Sequence, residues 1–434
     1  MASIPPLRVL LVSDHYPPFI GGAHRQMHLL AHGLSDRGHD VSVGTPWSRG
    51  LPWTEDEDGV TIRRLRQLRT AVPALVRYRE QRYQPPFPDP VTVWGLRRML
   101  RSVRPDIVHA HGWIAFSAAA ALVGRRMPFL VSAHDYGYFC ATRDLLRDGK
   151  ALCAGPGPVK CVACSARHFG APRGVVTAVS VAVSRRLLVR KITGLHSVSS
   201  FVHEAMMRHL LDADAGADSQ GLVTATIPSF QAPDLQDEAP VDDPHVAALL
   251  SRLPAEPFIL FVGAFRRVKG LETLFAAYER LADPPPLVLI GTHTNERDTP
   301  KVFPSHALVL ENVPHAGVMA AWDRALIGVL PSLWPEPFGL SVLEPMTRGK
   351  PVIGTRPGGH ADIVDEGSGI LVPQGDPHAL ENAMRELIGD PARREEMGRH
   401  GRERSRAFAS TNVVPQFEQL YGELLAASPP ARIE

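Results

Sequence analysis

The 434-residue chain is predicted to be α/β, with two parallel-sheet domains. It opens on an apolar run, a helical pattern and a second apolar run, the βαβ order that builds a parallel sheet. The same order restarts at FILFV, residues 258–262. Between the two, residues 231–257 are polar and proline-bearing, as an interdomain linker is, and include DLQDEAPVDDP. The length suits two domains of about 200 residues each.

In the first domain, expected over 1–230, LRVLLVS (7–13) reads as a buried strand. A loop ending in Gly21-Gly22 follows, then a helical pattern carrying Met27, Leu29, Leu30 and Leu34 that stops at Gly38, then the strand DVSVGTP. The opening lacks the G-x-G-x-x-G fingerprint of nicotinamide-binding domains. The glycine pair either admits a ligand close to the backbone or simply forms the turn. Residues 47–105 look irregular, as a long binding loop does, and contain QPPFPDP. DIVHAHG and PFLVSAHD are the next strands, ending in His109, His111 and His134. Polar groups at the carboxyl ends of parallel strands are candidates for ligand contact, although a lone histidine is more often structural.

All four cysteines then come together as Cys140, Cys153, Cys161 and Cys164, in a C-x12-C-x7-C-x2-C order. The closing C-x-x-C allows two thiolates to reach one metal, so a structural zinc held by the insert 140–164 is the favoured reading. An iron–sulfur cluster, a redox pair and unligated thiols are the alternatives. Four protein ligands leave no open position, so no catalytic metal is expected there. A basic helix end near Ser184–Lys191, GLHSVSS, a helix after Phe201 and LVTATIPS complete the domain.

The second domain, expected over 258–410, begins with a strand and then a loop carrying Arg266, Arg267 and Lys269 beside a helix start. Cations next to free N–H groups suit a diphosphate; a solvated basic turn is the plainer reading. PLVLIG, LVLENV and IGVLPS are further strands, with HAGVMAAWDRA a helix between the last two. The stretch 332–359, SLWPEPFGLSVLEPMTRGKPVIGTRPGG, then places Glu336 in a turn and Glu344 in the early turns of a helix beginning near Gly339. Carboxylates there suit sugar hydroxyls, while the N–H groups of Phe338, Gly339 and Leu340 suit phosphate. Pro345 directly after Glu344 is tolerable so near a helix start. The last amphipathic helix is VVPQFEQLYGELL, within 411–434.

Glu336 and Glu344, eight positions apart, resemble the Glu-x7-Glu motif of family-4 retaining glycosyltransferases, which have the GT-B fold. The resemblance spans nearly the whole chain. It implies two Rossmann-like domains facing each other across a cleft, with a C-terminal crossover helix returning to the first domain. It also implies a nucleoside-diphosphate sugar as donor, a hydroxyl acceptor (a glycan, lipid-linked or small molecule) and metal-independent chemistry. Glu336 is then expected at the transferred sugar, Glu344 at the ribose, His134 lining the cleft near the donor sugar, and Gly21 and Gly22 facing the diphosphate. The family pattern of Gly-Arg followed by Lys-Gly is matched at Gly263, Lys269 and Gly270, but the arginine position is Ala264. Arg266 is the preferred replacement, with Arg267 or Lys269 alone as alternatives. Most relatives lack the cysteine insert.

The net charge of +2 conceals an asymmetry: residues 1–230 hold 28 Lys+Arg against 17 Asp+Glu, and the remainder 19 against 28. Between Ile62 and Arg104, eleven arginines meet only Glu80 and Asp89. Such a face attracts anionic lipid, phosphorylated acceptors or nucleic acid, or is merely solvated. With no apolar run of about 18 residues and no basic-then-apolar leader, the expected location is cytoplasmic, with peripheral contact at the inner face of an anionic membrane. No recognition-helix pattern supports a nucleic-acid partner. A GT-B epimerase and a non-catalytic sugar-nucleotide-binding or scaffold protein remain the functional alternatives.

Overall fold

A computed structural model describes residues 4–14, 16–17, 22–68, 84–211, 221–232, 244–293 and 302–427. The chain divides into two compact units, one made of 1–230 with 410–434 and the other of 231–409.

The first unit is built on strands β1 (Arg8–Ser13), β2 (Asp40–Pro46), β3 (Thr54–Glu57), β4 (Val60–Leu65), β5 (Ile107–His111) and β6 (Phe129–Ala133). A two-stranded ribbon, β7 (Leu146–Arg147) and β8 (Ala151–Leu152), stands apart, and β9 (Gly194–Ser197) and β10 (Val223–Thr226) finish the main sheet. Its order is β10-β9-β6-β5-β1-β2-β4-β3. Only β3 runs antiparallel to its neighbour. The central strands β1, β5 and β6 are buried along nearly their whole length because helices cover both faces of a parallel sheet.

The described residues of 47–105 are more regular than their composition suggests. Asp58 and Gly59 both take positive φ, the requirement of a tight hairpin turn, and so join β3 to β4. Asp89 then caps the helix Pro90–Val103 by accepting from the Val91 and Thr92 N–H groups, with Pro90 at its first turn. Arg64 is buried and bonded to Glu55 at 2.6 Å, so this arginine is not part of a solvated basic face. Arg69, Arg77, Arg79 and Arg82 lie outside the described residues.

The helix Ser410–Ala427 belongs to this unit, although the second unit separates it from the rest in sequence. Phe417, Leu420, Tyr421 and Leu424 enter the same core as Leu11, Met27, Leu30 and Leu130. Three polar contacts fix its rotation. Glu418 accepts from Arg37 at 2.6 Å and from His39 at 2.9 Å. His39 Nδ1 already accepts the Leu7 N–H, so the proton sits on Nε2 and is given to Glu418. Tyr421 Oη meets His109 Nδ1 at 2.9 Å.

The second unit carries six parallel strands: β11 (Phe258–Val262), β12 (Leu287–Gly291), β13 (Ala307–Glu311), β14 (Ala325–Val329), β15 (Val352–Arg356) and β16 (Gly369–Pro373). Their order is β13-β12-β11-β14-β15-β16. Counted within the unit this is 3-2-1-4-5-6, the doubly wound Rossmann order. The helix Pro244–Leu250 belongs here too, with Val246 buried. Each unit is thus an α/β domain on a largely parallel sheet.

Burial should make the first unit acid-labile. His134 is pushed down to about 4 and His196 to about 3 by burial, and burial holds His109 and His111 well below the ordinary range. An unfolded histidine takes up its proton near 6.5 while these do not, so stability falls as pH drops below ~6.5 toward the folded values. Asp14, raised to about 6 by burial, works the other way, but it is one group against four. At pH 5 each depressed histidine costs up to ~2 kcal/mol relative to pH 7.5. The thermal midpoint of the first unit is therefore expected to fall between pH 7.5 and 5, and an unchanged midpoint would contradict the buried histidine arrangement.

Candidate functional site

In the second unit the strand order reverses between β11 and β14. Helices leave the sheet to opposite sides there, and a crevice opens at the carboxyl ends of the two strands. The residues following these strands therefore converge although they are far apart in sequence. After β11 the chain turns through Arg267–Lys269 and Gly270, whose φ is +76°, into the helix Leu271–Tyr278. A side chain on Gly270 would collide with the Pro331 carbonyl. The loop is locked to the other side by the Leu333 N–H, which donates to the Val268 carbonyl at 2.8 Å.

This packing brings Lys269 Nζ onto Glu336 Oε1, with Ser332 Oγ donating to the same oxygen at 3.0 Å. Glu336 is buried. Burial pushes its carboxyl up, but Lys269 outweighs this and holds it below the usual carboxylate range. Lys269 also lies 5.7 Å from the Trp334 ring centre, an aromatic face that accommodates an ammonium group. His360 is pushed down to about 4 by burial, so the ring is neutral at pH 7. Its Nδ1 accepts the Thr355 N–H at 3.2 Å, which leaves the proton on Nε2.

Two glycines make this site close. Gly339 has a φ of +102°, and a Cβ there would run into the His360 ring at 2.6 Å. Gly358, with a φ of +138°, passes so close to Glu336 that a Cβ would sit 2.8 Å from its backbone nitrogen. Glu336 also receives backbone support, since the Gly359 N–H donates to its carbonyl at 2.6 Å. Phe338 is buried in edge contact with Phe408, and the helix Leu340–Thr347 starts directly after Gly339. Glu344 lies half-buried on that helix, 3.3 Å from His315 Nε2. Pro345 lies inside the helix and is buried. Arg267 points to Glu272 at 3.6 Å, whereas Arg266 is half-buried.

The first unit has its own reversal, between β1 and β5. Gly21 lies outside the described residues; Gly22 begins the helix Gly22–Ser35. Asp14, just past β1, accepts from the Trp113 N–H at 2.6 Å and the Ile114 N–H at 2.8 Å, and so caps the helix Ile114–Ala121. Gly112 takes positive φ directly against this carboxylate. His134 is half-buried, and its Nε2 meets His111 Nδ1 at 2.9 Å. Behind it His109, Ser132 and His196 form a closed chain, with His109 Nε2 2.6 Å and His196 Nδ1 2.7 Å from Ser132 Oγ. His109 and His196 are thus structural, while His111 Nε2 is buried with no partner. Beside His134, Asp135 binds Arg143 at 2.6 Å, and that guanidinium lies over Trp113.

Sequence reasoning passed over Asp14 and His360. An apolar strand followed by an acidic residue, SD at 13–14, was one signal, and a histidine after the Gly358-Gly359 pair was the other.

The cysteine segment is compact, but its sulfurs do not gather. Among the described residues, the cysteines form no group of three ligand atoms within 4.8 Å of one another. Each sulfur has a local partner instead. Cys140 meets Thr142 Oγ1 at 3.3 Å, Cys153 donates to the Gly155 carbonyl at 3.4 Å, Cys161 accepts the Gly157 N–H at 3.3 Å and Cys164 the Asp148 N–H at 3.4 Å. Burial pushes the Cys140 thiol up to about 11. The four-thiolate zinc site expected from the spacing is not formed in this arrangement.

Comparisons with known proteins agree with the fold. A family model described as glycosyl transferases group 1 matches residues 251–404, and one described as Glycosyltransferase Family 4 matches 20–214. A glycogen synthase of Mycobacterium tuberculosis is 26% identical over 432 residues, covering 92% of this chain and 90% of that protein. A D-inositol 3-phosphate glycosyltransferase of Corynebacterium glutamicum is 30% identical over 183 residues, 39% of this chain and 44% of that protein. Among solved structures, the sucrose-phosphate synthase of Thermosynechococcus elongatus aligns with a TM-score of 0.72 at 23% identity, over 97% of this chain and 99% of that one. HepE of Anabaena aligns at 0.65 with 18% identity, over 95% and 98%. Matched in both of its units by glycosyltransferase models, the chain belongs to the family-4 glycosyltransferases of the GT-B fold.

Proposed function

We propose that this enzyme transfers a sugar, with retention of anomeric configuration, from a nucleoside-diphosphate sugar to a hydroxyl acceptor. One observation carries the reading: Lys269 and buried Glu336 meet at the strand-order reversal of the second unit. A leaving diphosphate needs cations and N–H dipoles that are already in place, because reorganising them during the reaction costs rate. Lys269 supplies the cation and half-buried Arg266 assists it. The backbone N–H groups of Phe338, Gly339 and Leu340 complete the phosphate side. Glu336 takes the hydroxyls of the transferred sugar, and Glu344 takes the ribose. Neutral His134 offers a hydrogen bond near the donor sugar without adding charge. The C1–O bond to the diphosphate breaks, the acceptor oxygen bonds C1 from the same face, and its proton passes to the departing phosphate oxygen. No catalytic metal is required in this scheme. HepE of Anabaena has been crystallised with UDP-glucose, which supports a nucleotide-sugar donor for the shared fold.

We infer also that the first unit docks on an anionic membrane surface from the cytoplasmic side, through a helix pair within residues 149–203. That stretch holds eight Lys+Arg and no Asp or Glu. Its helices Pro158–Phe169 and Ala171–Val189 leave Val159, Val175, Val176, Val179 and Val183 exposed, the last four along one helical face. Exposed valines flanked by arginines combine apolar insertion with attraction to acidic headgroups.

Glu336→Gln should keep the fold while lowering turnover by ~10²–10³-fold, the usual effect of losing one preorganised polar contact. The assay is product formation with a panel of UDP-, GDP- and ADP-sugars, and wild-type turnover would remove Glu336 from the site. Lys269→Ala should weaken nucleoside diphosphate binding by ~10–100-fold in calorimetry, the range of a charge-assisted hydrogen bond. Val176→Glu with Val183→Glu should abolish sedimentation with phosphatidylglycerol vesicles and leave turnover on a soluble acceptor unchanged; equal sedimentation would place membrane contact elsewhere.

A further inference from the structure

We propose that the first unit binds a divalent cation of the zinc type through His28, His32 and Glu57, away from the cysteine segment. His28 and His32 lie one turn apart on the helix Gly22–Ser35, and Glu57 closes strand β3 of the hairpin packed beside it. Among the described residues this is the group whose three ligand atoms all lie within 4.8 Å of one another.

The details fit ligation better than an ordinary ion pair. His28 Nε2 and Glu57 Oε1 are 3.3 Å apart. Two ligands of a tetrahedral zinc, each about 2.0–2.1 Å from the ion, stand roughly 3.3 Å from each other. His32 Nδ1 lies 3.0 Å from the His28 carbonyl, which can only accept, so Nδ1 carries the proton. The unprotonated lone pair is then on Nε2, which is buried and has no hydrogen-bond partner. A backbone carbonyl holding Nδ1–H so that Nε2 is free is how metal-binding histidines are commonly set. The two imidazoles stack at 4.1 Å, with both edges on one side of the helix. The Tyr16 hydroxyl is a second buried group with no partner, its ring 6.0 Å from that of His28. A phenol or a water can fill the remaining position of an ion bound by two imidazoles and a carboxylate. Ligands of this kind favour zinc, cobalt or nickel over magnesium or calcium, which prefer oxygen alone. The ion would clamp the Gly22–Ser35 helix to the β3–β4 hairpin, independently of the donor site in the second unit.

Cobalt(II) tests this because its visible spectrum distinguishes nitrogen and oxygen ligands from sulfur. The protein is stripped with chelator and titrated with cobalt(II), alongside His32→Gln and Glu57→Gln variants whose melting without metal lies within ~3 °C of wild type. Wild type is expected to bind one equivalent with no thiolate charge-transfer absorption. Each variant should bind at least ~100-fold more weakly, since changes one shell further out already cost 10–100-fold. Wild-type affinity in both variants, or a spectrum showing only thiolate ligation, overturns the proposal and leaves His28 and Glu57 as a simple ion pair.

Discussion

A carboxylate buried as Glu336 is cannot remain charged unless a cation reaches it, and the second unit is built so that one does. Lys269 comes from 67 residues earlier in the chain, after a strand adjacent to the one that leads to Glu336. Only a parallel sheet whose order reverses places two such loops side by side with their helices turned away. The glycines follow from the same demand. Gly270, Gly339 and Gly358 stand where backbone passes too close to backbone or imidazole for any side chain. The site is therefore assembled by contact exclusion as much as by attraction, and the Lys269–Glu336 pair is kept aligned.

The first unit solves a related problem with neutral groups. Four imidazoles lie at or near the carboxyl ends of β5, β6 and β9, a polar load that would be costly without partners. Ser132 serves two of them, Tyr421 satisfies one from the C-terminal helix, and His111 and His134 serve each other. Asp14 stays buried by accepting two N–H groups at a helix start, where a carboxylate is favoured. In both units polar chemistry thus collects where the strands end.

Much of this was legible in the sequence, because period and punctuation are local. The strands at 8–13 and 258–262 hold the continuous apolar runs 9–12 and 258–262, and the helix after Gly339 follows a glycine that could adopt positive φ. Glu336, Glu344 and Lys269 stood out by motif. What local reading missed was set by distant contacts. The hairpin of β3 and β4 is charged on its outer positions, so its alternation was masked, although Asp58-Gly59 marks its turn. The helix Ala171–Val189 exposes apolar residues and so lacks a clean amphipathic signal. The cysteine spacing suggested a shared ion, yet spacing cannot reveal that each sulfur finds a nearer local partner.

The seating of Ser410–Ala427 in the first unit has a consequence for how the chain is made. The surface formed by Leu11, Met27 and Leu30 is synthesised early, but the residues that cover it, Phe417 to Leu424, emerge after the entire second unit. At about 5–20 residues per second, the intervening 180 or so residues occupy the ribosome for roughly 10–40 s. During that interval the first unit waits with an open apolar face and with His109 lacking its tyrosine, while the second unit can already close. The first unit's core is thus complete only after the helix Ser410–Ala427 has been made, later in the chain than the whole second unit.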